Sequence, residues 1–243
     1  MGVRLPRKKP RNLLLSVLYR LGKLLPLSRQ RKFRLYLDLE WIFDRLALEQ
    51  SFKVYPEDQH PVRTYTRDFI LQRIHPSDRV LDLGCKEGYM SDYIAEKAAL
   101  VVGMDLDAAA ISVAKARYHR ENLSFVEGEA GAYLETLDTP FDVLILSHIL
   151  EHLDEPEAFL LRFKGRFRRI YIEVPDFDRY YLNQYRKDHN VALLYSDNDH
   201  VSEFDRTELR ALLNACGLRI EQEEYRFGVQ RIWCSEQGAA PTP

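Results

Sequence analysis

Three side chains able to do acid–base or metal chemistry stand close together near the middle of the chain. His148, Glu151 and His152 follow an apolar segment at positions i, i+3 and i+4, so one helical turn would present all three on one side. A further histidine, His200, lies much later in a polar segment. Imidazoles act as general bases near neutral pH, and imidazoles with carboxylates can also bind a divalent metal ion.

Two interpretations of this group stay open. In the first, His152 is a general base that accepts a proton from a substrate hydroxyl, and His148 and Glu151 are further catalytic residues. In the second, all four residues bind one metal ion. Three imidazoles and a carboxylate favour zinc, manganese, iron or cobalt over magnesium.

A second group of residues has the pattern of a nucleoside-binding loop. Asp82 precedes a turn that begins at Gly84 and ends at Gly88, where glycines would let the backbone approach a ligand closely. The Gly-x-Gly-x-x-Gly spacing of nicotinamide-binding turns is missing, and Asp82 and Glu87 would repel a pyrophosphate. These acids suit a cationic ligand with an amine, and Asp105 could accept the hydroxyls of a ribose. The pattern argues against an oxidoreductase.

Both groups need a scaffold that brings strand ends together. From residue 79 onward, short apolar segments alternate with helical patterns, which predicts a buried parallel sheet with helices on both faces. In such a sheet, ligands bind beyond the carboxyl ends of the strands. The predicted strands are Arg79–Leu83, Leu100–Met104, Leu123–Val126, Phe141–Leu146, Arg169–Val174, Leu218–Phe227 and Val229–Cys234.

These motifs resemble, in order and spacing, those of class I S-adenosylmethionine-dependent methyltransferases. The resemblance covers roughly residues 67–234. It implies a Rossmann-like seven-stranded sheet, mostly parallel with an antiparallel C-terminal strand, helices on both faces, and S-adenosylmethionine as the cofactor. The segments that carry it are Val80–Gly88, Val101–Asp107, Phe125–Ala130, Phe141–Pro156, His200–Phe204 and Leu209–Leu218.

The resemblance also implies roles for individual residues. Asp82 and Gly84 would lie near the methionine part of the cofactor, Asp105 would bind the ribose, and Glu129 would reach the adenine amine. The family usually has glycine where Lys86 stands, so a positive φ there would strain the backbone. The expected cofactor-binding residues are Asp82, Gly84, Cys85, Gly88, Asp105, Leu106, Glu129, Ala130 and Ser147.

The histidine-containing turn is similar to one in small-RNA terminal 2′-O-methyltransferases and in some ubiquinone-pathway O-methyltransferases. Those enzymes use Glu-x-x-Glu-His, and the RNA enzymes add a later histidine in an Asp-His segment. Here His148 replaces the first Glu, so the implied set of metal ligands is altered. Glu-His turns at this position also occur in relatives without a metal.

The regions that flank the predicted sheet differ from it in charge. Residues 1–37 hold eleven Lys and Arg and no acid, whereas the remainder holds 24 bases against 37 acids. Leucines at helical spacing from Leu13 predict a basic amphipathic helix, which either packs on the domain or lies on an anionic membrane surface. We predict a basic N-terminal helical arm over residues 1–60, a methyltransferase domain over 61–235 and a disordered tail over 236–243.

An acceptor-side cap is predicted over residues 175–205 of the domain. Its aromatic and basic residues could stack on a sugar or another ring and pair with a phosphate. They are Phe177, Tyr180, Tyr181, Tyr185, Tyr195, Arg179, Arg186, Lys187 and His189.

The three cysteines lack disulfide-like spacing, which favours a reducing compartment. No apolar run is long enough to span a bilayer. We therefore predict a cytoplasmic protein, with peripheral contact at the inner membrane face through residues 1–37 as the role of the arm.

The function predicted from these features is methylation of a hydroxyl on a small molecule or glycan, as in glycan biosynthesis. The basic arm favours a lipid-linked or nucleotide-linked acceptor. Two alternatives stay open. One is an RNA 2′-O-methyltransferase with a metal site, although the acidic body disfavours nucleic acid as a partner. The other is a non-catalytic methyltransferase-like scaffold whose loop is altered by Lys86.

Overall fold

The fold is known from a computed structural model that describes residues 12–136, 141–195, 197 and 199–237. Residues 1–11 of the predicted arm and 238–243 of the predicted tail lie outside this part. The strands are β1 (Arg79–Leu83), β2 (Leu100–Asp105), β3 (Leu123–Glu127), β4 (Phe141–Ser147), β5 (Phe167–Pro175), β6 (Leu218–Arg226) and β7 (Val229–Glu236). β7 therefore extends to Glu236, the residue at which the tail was predicted to begin.

The strands form one sheet in the order β3-β2-β1-β4-β5-β7-β6. β1 to β5 pair in parallel, and β7 runs antiparallel to both of its neighbours. The predicted seven-stranded α/β fold with an antiparallel C-terminal strand is confirmed. The α-helices of the described residues are α1 (Leu13–Leu24), α2 (Arg29–Val54), α3 (Pro61–Leu71), α4 (Tyr89–Ala95), α5 (Ala108–Arg117), α6 (Ala130–Glu135), α7 (Pro156–Phe163), α8 (Tyr181–Asp188) and α9 (Arg206–Ala215).

The sheet is buried on both faces because its central strands are apolar at successive positions. Val80 packs in a cluster with Ile70 of α3, while its neighbour Leu81 points to the opposite face and packs in a cluster with Leu160 of α7 and Leu209 of α9. The polar ends of the strands are thereby fixed at one edge of a rigid core.

The long helix α2 contacts the predicted cap. The Asp44 carboxylate accepts a hydrogen bond from Arg179 at 2.6 Å, and Glu40 pairs with the buried Arg186. The indole N–H of Trp41 donates to the backbone oxygen of Tyr195 at 3.2 Å. The predicted boundary between arm and domain at residue 60 stays a prediction, but α2 is joined to the cap by these bonds.

The first helix, α1, differs from α2 in that none of its residues is buried. Asn12 caps it by accepting from the N–H of Leu15, and its leucines are exposed, for example Leu13 at 81% and Leu24 at 78%. Within the described part of the chain, no helix is both long enough and apolar enough to cross a membrane.

Candidate active site

A cavity of about 860 Å³ lies at the carboxyl ends of β1, β2 and β4, where a parallel sheet of this order binds ligands. It brings together the loop after β1, the end of β2, the start of α6 and the turn after β4. The predicted cofactor residues that line it are Gly84, Asp105, Leu106, Glu129, Ala130 and Ser147, whereas Asp82, Cys85 and Gly88 are not part of the lining.

The loop after β1 requires its glycines. Gly84 has φ +71°, and a Cβ there would clash with the Ile149 Cδ1 atom. Gly88 has φ +81°, and a Cβ there would meet the Phe125 ring at 2.6 Å. Asp82 is buried and accepts from the Ser91 hydroxyl at 2.5 Å; burial raises its pKa to about 7, against the opposing effect of this hydrogen bond.

Lys86 adopts a left-handed conformation with φ +48°. Its backbone N–H donates to Asp105 Oδ2 at 2.8 Å, and the N–H of Asp107 donates to Asp105 Oδ1 at 2.9 Å. The carboxylate of Asp105 is thus held in place from two sides beside the cavity. The N-cap of α5 is a different residue, Asp107, so Asp105 is not needed to cap the helix.

Glu129 lines the cavity and also caps α6. Its two carboxylate oxygens accept from the N–H groups of Gly131 and Ala132, at 2.7 and 2.8 Å. These backbone hydrogen bonds lower the pKa of Glu129. A contact with an adenine amine, as the resemblance implies, would have to use the remaining lone pairs of the same oxygens.

The turn after β4 differs from the predicted single helical turn. A short 3₁₀ turn covers Leu150–His152, and His148 precedes it with φ +57°. The ring Nδ1 of His148 lies 2.8 Å from Glu151 Oε1, and its Nε2 lies 3.4 Å from Glu173 Oε1. Burial alone would lower the pKa of His148, but the hydrogen bonds to these two carboxylates outweigh it and raise the pKa to about 10.

This geometry leaves His148 without a free lone pair at neutral pH. A protonated imidazole can neither accept a proton from a substrate nor bind a metal ion. Its position between two carboxylates favours His148 as a cation that orders the turn, while the roles as catalytic residue and metal ligand stay predictions.

Glu173, which is almost completely buried in β5, is not among the predicted site residues. Its carboxylate accepts from Thr66 of α3 at 2.6 Å and from the hydroxyl of Tyr171 at 2.7 Å, and Arg231 Nε lies 2.9 Å away. Burial would raise the pKa of Glu173, but His148 and Arg231 lower it to about 2. A signal was present in the sequence, since Glu173 and Arg231 are oppositely charged residues within two predicted strands. They face each other in the β5–β7 register.

Three of the four predicted metal ligands come together. One ligand atom from each of Glu151, His152 and His200 lies within 4.8 Å of the others. The two imidazole rings are 4.7 Å apart and nearly perpendicular. Glu151 is fully buried, and among the described residues its Oε2 atom has no hydrogen-bond partner. The carboxylate and the two imidazoles could either share a proton among them or bind a divalent cation.

The aromatic lining of the cavity does not come from the predicted cap tyrosines. Of the nine cap residues named above, Arg179 lines the cavity, and Tyr185 instead packs against Phe33 of α2. The aromatic side chains that line the cavity are Trp41 and Phe52 of α2, Phe159 of α7 and Phe227.

A family model described as a methyltransferase domain matches residues 58–223. The chain belongs to this methyltransferase family. Membership confirms the predicted class I S-adenosylmethionine-dependent methyltransferase and, with it, S-adenosylmethionine as the cofactor.

Named relatives of this methyltransferase include two bacterial proteins. The ubiquinone biosynthesis O-methyltransferase of Hahella chejuensis is 33% identical over 108 residues, which are 42% of this chain and 44% of that protein. The protein of the same name from Pseudomonas fluorescens (strain Pf0-1) is 30% identical over 115 residues, or 46% and 48% of the two chains. The chain thus spans less than half the length of these relatives.

Solved structures show the same fold at low sequence identity. The magnesium protoporphyrin IX methyltransferase of Synechocystis PCC 6803, solved with bound S-adenosylhomocysteine, has a TM-score of 0.56 at 19% identity, covering 80% of this chain and 94% of that one. A methyltransferase of Archaeoglobus fulgidus has a TM-score of 0.55 at 18% identity, covering 72% and 93%.

Proposed function

We propose that this methyltransferase methylates a hydroxyl of a small molecule or glycan and that His152 is the general base. The observation that carries the proposal is that the cofactor motif and the pair His152 and His200 line the same cavity. The names of the ubiquinone biosynthesis relatives support oxygen as the methylated atom.

The tautomer of His152 suits it to the role of base. Its Nδ1 lies 3.3 Å from the backbone oxygen of Asp199, which can only accept a hydrogen bond. Nδ1 therefore carries the proton, and Nε2 keeps its lone pair. When bound, S-adenosylmethionine supplies an electrophilic methyl group. Nε2 of His152 would take the proton of the acceptor hydroxyl as that oxygen forms its bond to the methyl carbon. The bond between that carbon and the cofactor sulfur would break, with S-adenosylhomocysteine as the leaving group.

Transfer of tritium from methyl-labelled S-adenosylmethionine to catechol and to a methyl glycoside tests this proposal. Replacing the base, as in His152→Asn, should lower transfer by about 10²- to 10⁴-fold while the Kd for S-adenosylhomocysteine stays the same. His119→Asn is the matched control, because His119 is exposed on the surface. Equal transfer by the His152 variant and the wild type would contradict the assignment of the base, and absence of transfer to either hydroxyl compound would contradict O-methylation.

A metal-assisted form of the same reaction is the second candidate. The observation in its favour is the unpartnered Oε2 atom of Glu151 beside His152 and His200. A divalent ion held there would lower the pKa of an acceptor hydroxyl. Equilibrium dialysis with Co²⁺ and its visible absorption spectrum give a readout independent of activity. We expect one bound ion, lost in His200→Gln; failure to retain Co²⁺ would leave His152 as the base without a metal.

We further propose that residues 1–37 hold the protein at the inner face of a membrane, where a lipid-linked acceptor would be presented. α1 supports this, because its large apolar residues are exposed and Arg20 and Lys23 flank them. The alternative to a lipid-linked acceptor is a nucleotide-linked one, which would not require attachment to a membrane.

Co-sedimentation with phosphatidylglycerol and phosphatidylcholine vesicles tests the membrane proposal. We expect binding to the anionic vesicles that weakens with salt and is lost in Leu18→Asp. Leu161→Asp on α7 is the control, because Leu161 is similarly exposed, at 46% against 56% for Leu18. Equal sedimentation of both variants, or no binding by the wild type, would refute membrane attachment through α1.

A further inference from the structure

One face of α2 forms a wall of the cavity that none of the cofactor motifs explains. Trp41, Arg45, Leu48 and Phe52 recur at i, i+4, i+7 and i+11, so they share one face of the helix, and all four line the cavity. Leu48 is 37% exposed and Phe52 44% exposed. Apolar side chains left open inside a concave surface are typical of a ligand-binding wall.

The Trp41 side chain is oriented by the cap. Because its only hydrogen-bond donor is used by the backbone oxygen of Tyr195, a ligand can contact only the carbon surface of the indole. Such a surface suits stacking or C–H contact with a ring.

The charges beside this wall argue against an anionic ring. Arg45 pairs with Asp197 at 2.8 Å and with Glu49 at 3.1 Å, and Arg179 pairs with Asp44 at 2.6 Å. With Asp199 included, this side of the cavity has four carboxylates to two guanidinium groups. A phosphate or carboxylate here would meet cations that already have partners and a surplus of negative charge.

We propose that this face of α2 is the acceptor subsite and that it takes an uncharged ring bearing hydroxyl groups, with Trp41 as the surface on which the ring lies. Any phosphate or lipid carrier attached to the ring stays outside the cavity. The inference rests on the proposed function, because it places the acceptor in the cavity that also holds the cofactor motif.

Ligand-observed saturation-transfer NMR on the full chain, loaded with S-adenosylhomocysteine, tests the subsite directly. The probes are catechol and methyl α-D-glucopyranoside, with glucose 6-phosphate as the charged counterpart. We expect saturation transfer to the protons of at least one uncharged ring and weaker transfer to the ring protons of glucose 6-phosphate. Trp41→Ala should weaken ring binding by about three- to tenfold.

Two further variants keep the test decisive. Leu48→Ser alters the same wall without touching Trp41 and should also weaken ring binding, whereas Phe43→Ala should leave it unchanged, because Phe43 is 65% exposed and is not part of the cavity lining. Transfer that is the same in wild type, Trp41→Ala and Leu48→Ser, or no transfer to either uncharged ring while S-adenosylhomocysteine binds, would overturn the subsite. Failure of S-adenosylhomocysteine itself to bind in calorimetry would instead overturn the proposed function.

Discussion

The backbone N–H of Lys86 donates a 2.8 Å hydrogen bond to the Asp105 carboxylate, and it does so from a left-handed conformation. This bond accounts for the unusual backbone at a position where the resemblance implies glycine. The strained residue orients the carboxylate that is expected to bind the ribose. The strain therefore lies at the expected cofactor-binding site. Lysine at this position does not prevent the loop from taking its glycine-like conformation.

Lys86→Gly should stabilise the protein. Relief of the left-handed strain contributes about 1–2 kcal/mol, and the greater freedom of glycine in the unfolded chain offsets about 0.4–1 kcal/mol of this. The expected net gain is on the order of 1 kcal/mol in the free energy of unfolding, measured by urea denaturation. Lys86→Ala keeps the strained backbone and should show no such gain. A glycine variant less stable than wild type would contradict the inference that Lys86 is strained.

Asp105→Asn should weaken binding of S-adenosylhomocysteine by about 10- to 100-fold, because it removes the charge from the carboxylate that we expect to accept the ribose hydroxyls. Isothermal titration calorimetry gives the Kd. Asp107→Asn is the matched control, since Asp107 caps α5 and asparagine caps helices about as well as aspartate. Comparable loss of affinity in both variants would mean that the loop as a whole, and not Asp105, determines binding.

The sheet could be predicted from the sequence because its signal is local. Short apolar segments with helical patterns between them predict strands without any knowledge of long-range contacts. β1, for example, was predicted with the ends that it has in the structure. The cavity lining near Gly84 and Asp105 was predictable for the same reason, since Gly84 directly follows β1 and Asp105 is the last residue of β2.

The contacts that sequence reasoning missed are long-range pairings. Glu173 meets Arg231 only because β7 inserts beside β5, and a pattern along one strand does not show which strand pairs with it. His148 contacts Glu151, as the spacing predicted, but its other ring nitrogen faces Glu173 of β5, and spacing along the chain could not show that contact. The position of α2 on the cavity likewise depends on bonds to a cap more than 100 residues away.

Arg231→Met should destabilise the protein by about 3–5 kcal/mol, because it leaves the buried Glu173 carboxylate without its guanidinium partner. Unfolding in urea measures the change. Arg168→Met on β5 is the control: its side chain is 83% exposed, so its effect should stay within about 0.5 kcal/mol. A loss of stability as small as that of the control would show that the ion pair between Glu173 and Arg231 contributes little to stability.

The pH dependence of stability should show the pairing of His148 with Glu173. The pKa of His148 is raised from 6.5 to about 10, so its contribution is fully present below pH 6.5 and is lost as the pH rises through about 10. The pKa of Glu173 is lowered from 4.5 to about 2, so its contribution is present above pH 4.5 and is lost as the pH falls through about 2. The pair therefore stabilises the fold most between about pH 4.5 and 6.5.

His148→Gln should accordingly be less stable than wild type by on the order of 1 kcal/mol at pH 5.5, a modest value because solvent reaches 40% of the His148 side chain. The difference should shrink toward pH 10, where wild-type His148 loses its proton. Urea midpoints at pH 5.5 and 9.5 measure this, with His119→Gln on the exposed surface as the control. A difference that is constant over this range would mean that His148 acts through packing and not through its charge.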